Sequence, residues 1–259
     1  MTMVEKRLLS KHIMTTSEFP CKTLVLMAQQ VELTPEDVHL IDIDEVNTFV
    51  TKKRLLDHLN GRMLLQLALE QWGEIHIDYL DIQRSQYRQP YLRYVPGVWK
   101  NQPLPSCSLS HSEGFVFVAL CEPQWSIGVD AEPLSRRLSD RTFDMIASGD
   151  ELINLRAEPE TALRLWTSKE AVQKSMGLGM HLNPRKIVIP IENNMSHFSI
   201  EKTKIQLEYL QFCDFHISIA LSPQIKRFKT AEEVLLDQTR EAMQQGDWSV
   251  GCKTTRKGA

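Results

Sequence analysis

Residues 115–132 read FVFVALCEPQWSIGVDAE. Phe115–Cys121 is a seven-residue apolar run rich in Val and Phe, which predicts a buried strand. Glu122-Pro123-Gln124 is a turn signal and Trp125–Glu132 a second strand, so the spacing predicts a hairpin. Alternation along the second strand puts Ile127, Val129 and Ala131 on one face and Ser126, Gly128, Asp130 and Glu132 on the other.

Before this pair, the apolar patch Leu24–Val31 fits a strand or a short helix, and residues 45–71 carry apolar side chains at steps of three and four, a helical period with Gly61 as a weak point or break. Residues 75–104, rich in Tyr, Pro and Arg, read as a loop or two short strands, and Ser106–Ser112 as a polar link. Beyond Pro133, a basic stretch leads into short helices and then a helix over about Pro159–Met176, stopped by Gly177 and Gly179. Three β-rich segments follow, Lys186–Ile191, His197–Leu210 and Cys213–Leu221, and residues 230–245 read as a final amphipathic helix before a frayed tail. A helix thus leads into apolar strands twice, in 45–132 and in 159–221, with FVFVAL answered by FHISIAL. This predicts two similar α+β halves joined near 133–158. The expected division is an N-terminal lobe over 1–135, a C-terminal lobe over 136–229, and a helix with a flexible tail over 230–259.

The chain has 259 residues, 42% apolar and 24% charged, which excludes the disordered and collagen-like classes. Its 30 Lys and Arg against 33 Asp and Glu leave a net charge of −3, unlike a dedicated nucleic-acid binder. No apolar run approaches the roughly 20 residues of a membrane span, and the N-terminal stretch MTMVEKRLLSKHIM lacks a signal-peptide core. Five cysteines without a CxxC pair argue against disulfides or zinc and fit a reducing cytoplasm.

Four short segments can carry chemistry. Asp130 and Glu132 stand at i and i+2 on one strand face. They are either a solvated strand end or ligands of a hard cation such as Mg²⁺, which takes one or two carboxylates plus phosphate and water, with Gly128 leaving room beside them. In WTSKEAVQK (Trp166–Lys174), Glu170 and Lys174 are either an ordinary i, i+4 surface pair or a metal ligand and a phosphate contact. Ser108–Ser112 (SLSHS) lacks the nucleophile-elbow pattern, so Ser110 and His111 are a polar turn or phosphate hydrogen-bonders. Arg54 and Arg62, about 80° apart on one helix, are solvated arginines or two ligands of one anion.

In this order, RLLDHLNGR (Arg54–Arg62), SLSHS, IGVDAE (Ile127–Glu132) and WTSKEAVQK resemble the motifs of the 4′-phosphopantetheinyl transferase superfamily, specifically its larger, Sfp-like class. The resemblance covers about residues 45–180. Ala131 replaces the usual branched aliphatic between the acids, and either Arg88-Gln89-Pro90 or Asn101-Gln102-Pro103 stands for the family's G(K/R)P element.

The resemblance implies an α/β pseudodimer: two similar lobes, each a small antiparallel sheet packed with helices, with the active-site cleft between them. It implies transfer of the phosphopantetheine arm of CoA, the co-substrate, to a serine of an apo acyl- or peptidyl-carrier protein, releasing adenosine 3′,5′-bisphosphate. Mg²⁺, or Mn²⁺, would be held by Asp130, Glu132 and Glu170, with Lys174, Ser110, His111, Arg54 and Arg62 on the phosphates. The serine proton would go to Glu170 or to a metal-bound water. Arg136, Arg137 and Arg141, or Lys226, Arg227 and Lys229, are either solvated loop charge or a face for an acidic carrier. The expected protein is a cytoplasmic enzyme for which a monomer suffices, with no nucleic-acid or membrane partner. Two rivals are another Mg²⁺-dependent phosphoryl- or nucleotidyl-transferase and a non-catalytic CoA- or nucleotide-binding module.

Overall fold

A computed structural model describes residues 12–14, 19–73, 76–95, 103–190 and 194–224. The expected final helix over 230–245, the tail, the Lys226, Arg227 and Lys229 cluster, and Asn101 and Gln102 lie outside them.

The first sheet has the order β1 (His12–Met14), β2 (Thr23–Gln29), β6 (Phe115–Cys121), β5 (Ser106–Ser112), all neighbours antiparallel. Helices α1 (Ile43–Asn47) and α2 (Lys52–Trp72) follow β2, and the antiparallel pair β3 (Leu80–Arg84) and β4 (Pro90–Tyr94) precedes β5. The helical period read over 45–71 is thus two helices, each opened by its own cap. Asp42 accepts from Asp44 N and Glu45 N, and Thr51 accepts from Arg54 N. Gly61 does not break α2. A Cβ there would stand 3.3 Å from Leu109 Cδ2, so the glycine is a packing residue.

The second sheet has the order β7 (Trp125–Pro133), β10 (Phe215–Pro223), β9 (Thr203–Phe212), β8 (Met195–Ile200), again antiparallel. Between β7 and β8 lie α3 (Asp140–Ile146), α4 (Asp150–Ala157) and α5 (Ala162–Ser175), the last preceded by a 3-10 turn at Pro159–Thr161. Three sequence expectations change here. β6 and β7 are both strands but not a hairpin: β2 and β5 fill both edges of β6, and β7 finds its partner in β10, with Asp130 opposite Ser218. The segment read as one strand over 197–210 is the hairpin β8–β9, turned at Glu201, whose φ is +53°. Residues 186–190 form no strand. Pro184–Lys186 is a 3-10 turn, and Ile187 and Ile189 are buried against the α5 core.

Ser106–Ser112, read as a polar link, is strand β5, and its serines show why a polar strand is stable here. Ser106 Oγ donates to Trp125 O at 2.6 Å, and Ser108 Oγ accepts from Val129 N at 3.0 Å. Ser110 Oγ donates to Asp130 Oδ1 at 2.9 Å, and Ser112 Oγ to Glu132 Oε2 at 2.7 Å. The hydroxyl of every second residue therefore laces β5 to β7, joining the two sheets where no main-chain ladder runs.

Three apolar layers result. Leu26, Val116, Val118 and Leu120 meet α2, while Phe117, Ala119 and Cys121 turn inward to meet Ile127, Val129, Ala131, Ile217 and Ile219. Ala171, Val172 and Ala220 pack beneath α5. The same element order occurs twice: a strand, a helix, then a hairpin whose second strand lies between the other two (β2-β6-β5 and β7-β10-β9). Both hairpins turn on two residues of positive φ, Glu113-Gly114 and Cys213-Asp214, the signature of a two-residue turn matched to strand twist.

Gly128 marks the closest approach of α5 to β7. A Cβ there would lie 1.9 Å from Ala171 O and 2.6 Å from Ser175 N, both backbone atoms. The space expected beside Asp130 for a ligand is therefore occupied by the helix. Gly128→Ala should lower unfolding stability by about 3 kcal/mol in urea titration. Val50→Ser, at a 96% exposed position, should stay within about 0.5 kcal/mol.

Candidate functional site

A cavity of about 260 Å³ opens between α2, the β3–β4 turn, β5 and the end of α5. Arg54, Arg62, Ser110, His111 and Lys174, five residues singled out in the sequence, all line it. So do Arg84 and Arg88, with Asp57 as the one acid of the wall. This wall suits a ligand with several negative charges.

Arg62 is buried. Burial first, then the nearby Arg84, pulls its guanidinium down to about 10, so it remains charged at neutral pH. Glu45 steadies both arginines, with Oε2 3.9 Å from Arg62 Nη2 and Oε1 2.7 Å from Arg84 Nη2. Asp57 accepts from Gln30 Nε2 at 2.7 Å and Lys53 Nζ at 3.0 Å, and its Oδ2 lies 3.6 Å from His111 Nδ1. Burial lowers the imidazole of His111 below its ordinary value. Asp57 opposes that shift, while Lys174, Lys53 and Arg54 reinforce it.

Lys174 stands between this cavity and the acids. It does not pair with Glu170 one turn back. Its Nζ donates to Asp130 Oδ1 at 2.8 Å and to Val129 O at 2.9 Å. Glu132 accepts from Ser112 and forms an ion pair with Arg136. Glu170 makes no hydrogen bond or ion pair among the described residues. Its carboxyl is pushed up by burial first and by Asp130 and Glu132 as well, with Lys174 opposing. The three acids therefore feel one another. Yet among the described residues no three His, Cys, Asp or Glu side chains stand close enough together to hold a metal ion. Asp130 and Glu132 face their cations, and Glu170 borders a second cavity with Trp166, Met145 and Met180. The donor set fits a hard divalent cation chemically: three carboxylates, one of them destabilised as an anion by its two neighbours.

Beside Glu170, Lys169 is 1% exposed. Its Nζ donates to Ile146 O at 2.6 Å, Pro184 O at 3.0 Å and Glu151 Oε2 at 2.5 Å, tying three segments to α5.

The sequence reading passed over Asp57, His58 and Arg84, which the structure adds to the wall. The signal for His58 was present: Arg54, His58 and Arg62 recur at every fourth residue, one ridge of a helix. Of the two candidate G(K/R)P stand-ins, Arg88-Gln89-Pro90 lines the cavity. Arg88, in the glycine's place, has φ +65°. Gln89 reaches Ser126 Oγ at 3.3 Å, and Tyr87 leans on His181 with ring centroids 4.9 Å apart, so this turn bridges to β7 and to the 3-10 turn Gly179–His181 that follows α5.

Residues 126–231, from β7 through α5 to β10, match the family model of the 4′-phosphopantetheinyl transferase superfamily. No curated protein matches the chain. No helix among the described residues is long and apolar enough to cross a membrane.

Because Asp57 is the group that favours the charged form of His111, Asp57→Asn should lower the His111 pKa further below its wild-type value. A pH titration of the imidazole ¹⁵N shifts would show this. An unchanged or higher value would remove Asp57 from that role.

Proposed function

We propose, from the superfamily match over residues 126–231, that this chain transfers the 4′-phosphopantetheine arm of CoA to a serine hydroxyl of an apo acyl- or peptidyl-carrier protein, as a holo-carrier-protein synthase of the Sfp-like class. The observation that carries the reading is the position of Lys174. It lines the cationic cavity and holds Asp130 at 2.8 Å, so a diphosphate seated among the arginines would end beside the acids.

The reaction makes a P–O bond from the serine oxygen to the β-phosphorus of CoA and breaks the P–O bond to the nucleotide, which leaves as adenosine 3′,5′-bisphosphate. Negative charge governs both events. Arg54 and Arg62 supply fixed positive charge for the nucleotide phosphates, and Ser110 and His111 add hydrogen bonds, with His111 on the ribose 3′-phosphate. Lys174 exchanges its Asp130 contact for a phosphate oxygen and steadies the charge of the transition state. Asp130, Glu132 and Glu170 would hold Mg²⁺ or Mn²⁺, which when bound neutralises the diphosphate as a Lewis acid. Glu170, without a hydrogen bond or ion pair among the described residues and with a pKa raised by burial, suits the role of taking the serine proton. Arg136 and Arg137, on the segment after β7, suit an acidic carrier surface. The action is cytoplasmic, and a monomer holds every residue named.

Incubating an apo carrier protein with CoA and Mg²⁺ should add a phosphopantetheine-sized mass. Loss of that gain in Asp130→Ala and Glu170→Ala, with far-UV circular dichroism unchanged, is expected. Near wild-type turnover in either would sink the acid assignment. No mass gain with any carrier tested, together with no CoA binding, would overturn the function. Arg54→Ala should weaken CoA more than dephospho-CoA, by about tenfold for a lost charge-assisted bond. Equal weakening of both would move Arg54 off the 3′-phosphate.

A further inference from the structure

The ridge of α2 that carries Arg54 and Arg62 places His58 between them on the cavity wall. The Nε2 atom of His58 is shut off from solvent and has no hydrogen-bond partner among the described residues. Its ring is seated edge-on against Phe49, with centroids 5.0 Å apart and planes at 61°. His58 lines the cavity while Nε2 itself is covered, so a turn of the ring edge toward the cavity is what brings a ligand atom to this unpaired group.

The charge of this histidine follows from its surroundings. Burial, Arg62, Arg84 and Arg54 all disfavour the imidazolium, and only Glu45 favours it, so its pKa falls to about 4 and the ring is neutral at physiological pH. A further cation among these arginines would be repelled before any ligand arrived. A neutral imidazole adds a donor without that cost.

We propose that His58 is a ligand-binding residue of this cavity, donating Nε2–H to an oxygen of a phosphate held by Arg54 and Arg62. The inference rests on the cavity being the seat of a nucleotide phosphate, as in the proposed function. It adds a contact drawn from a buried unpaired atom rather than from the family motifs. The proton stays on the imidazole throughout, and no bond other than the hydrogen bond is made.

The test is calorimetry of the full chain with adenosine 3′,5′-bisphosphate, using wild type, His58→Leu, His58→Phe and His58→Gln. Both apolar variants should bind about tenfold more weakly, the worth of one hydrogen bond to a charged group, and His58→Gln, a neutral donor, should recover most of the loss. The ratio of wild-type to His58→Gln affinity should stay flat from about pH 6 to 8.5, since a neutral ring has no charge to lose there. If wild type binds and both folded apolar variants bind equally well, the His58 contact is wrong while the proposed function stands. A ratio that climbs as pH falls would overturn the neutral-donor role. If wild type binds neither the bisphosphate nor CoA, the proposed function and this inference fall together.

Discussion

The lacing of β5 to β7 by alternate serine hydroxyls is the interaction on which the rest of the molecule depends. Each sheet satisfies its own backbone by antiparallel pairing, so neither has a main-chain reason to adjoin the other along this line. Ser106 and Ser108 supply that reason through backbone groups of β7, while Ser110 and Ser112 reach past the backbone to the carboxylates of Asp130 and Glu132. The seam that joins the sheets is thus also what orients two of the three acids. His111 projects from the same strand toward Asp57, so one strand sets both the cavity wall and the acid pair.

Charge is sorted along this seam. The cavity wall carries four arginines with a single acid, and beyond it stand three carboxylates, of which Glu170 is pushed up by burial and by its two neighbours. Lys174 spans the boundary, bound to Asp130 on one side while forming part of the cavity wall on the other. An anion in the cavity would compete with Asp130 for that ammonium, and an Asp130 released from it would be a better ligand for a cation. Were both charges to bind, they would be coupled through this one side chain.

Much of this was legible in the sequence because it is local. Apolar runs marked β6, β7 and β10, and helical spacing marked α2 and α5. Of the residues quoted for the resemblance, Arg54, Arg62, Ser110, His111 and Lys174 line one cavity, while Asp130, Glu132 and Glu170 do not. What escaped depends on distant partners. β7 looked like the second arm of a hairpin because its partner lies some 90 residues on, in β10, and short sequence separation is only a prior for pairing. β5 looked like a loop because serine is a weak strand former, and its hydroxyls' acceptors belong to another strand. His58 was overlooked because its meaning rests on the guanidinium of Arg84, brought in from the β3–β4 hairpin. Gly128 was read as room for a ligand, whereas a helix backbone fills the space.

That bare contact at Gly128 has a further effect. Main chain rests on main chain where α5 crosses β7, with no side chain between to act as a spacer. The gauge between the strand bearing Asp130 and Glu132 and the helix bearing Glu170 is thus set by peptide atoms, which do not compress or change rotamer. Exchange of side chains in the surrounding turns would leave that strand-to-helix spacing unchanged.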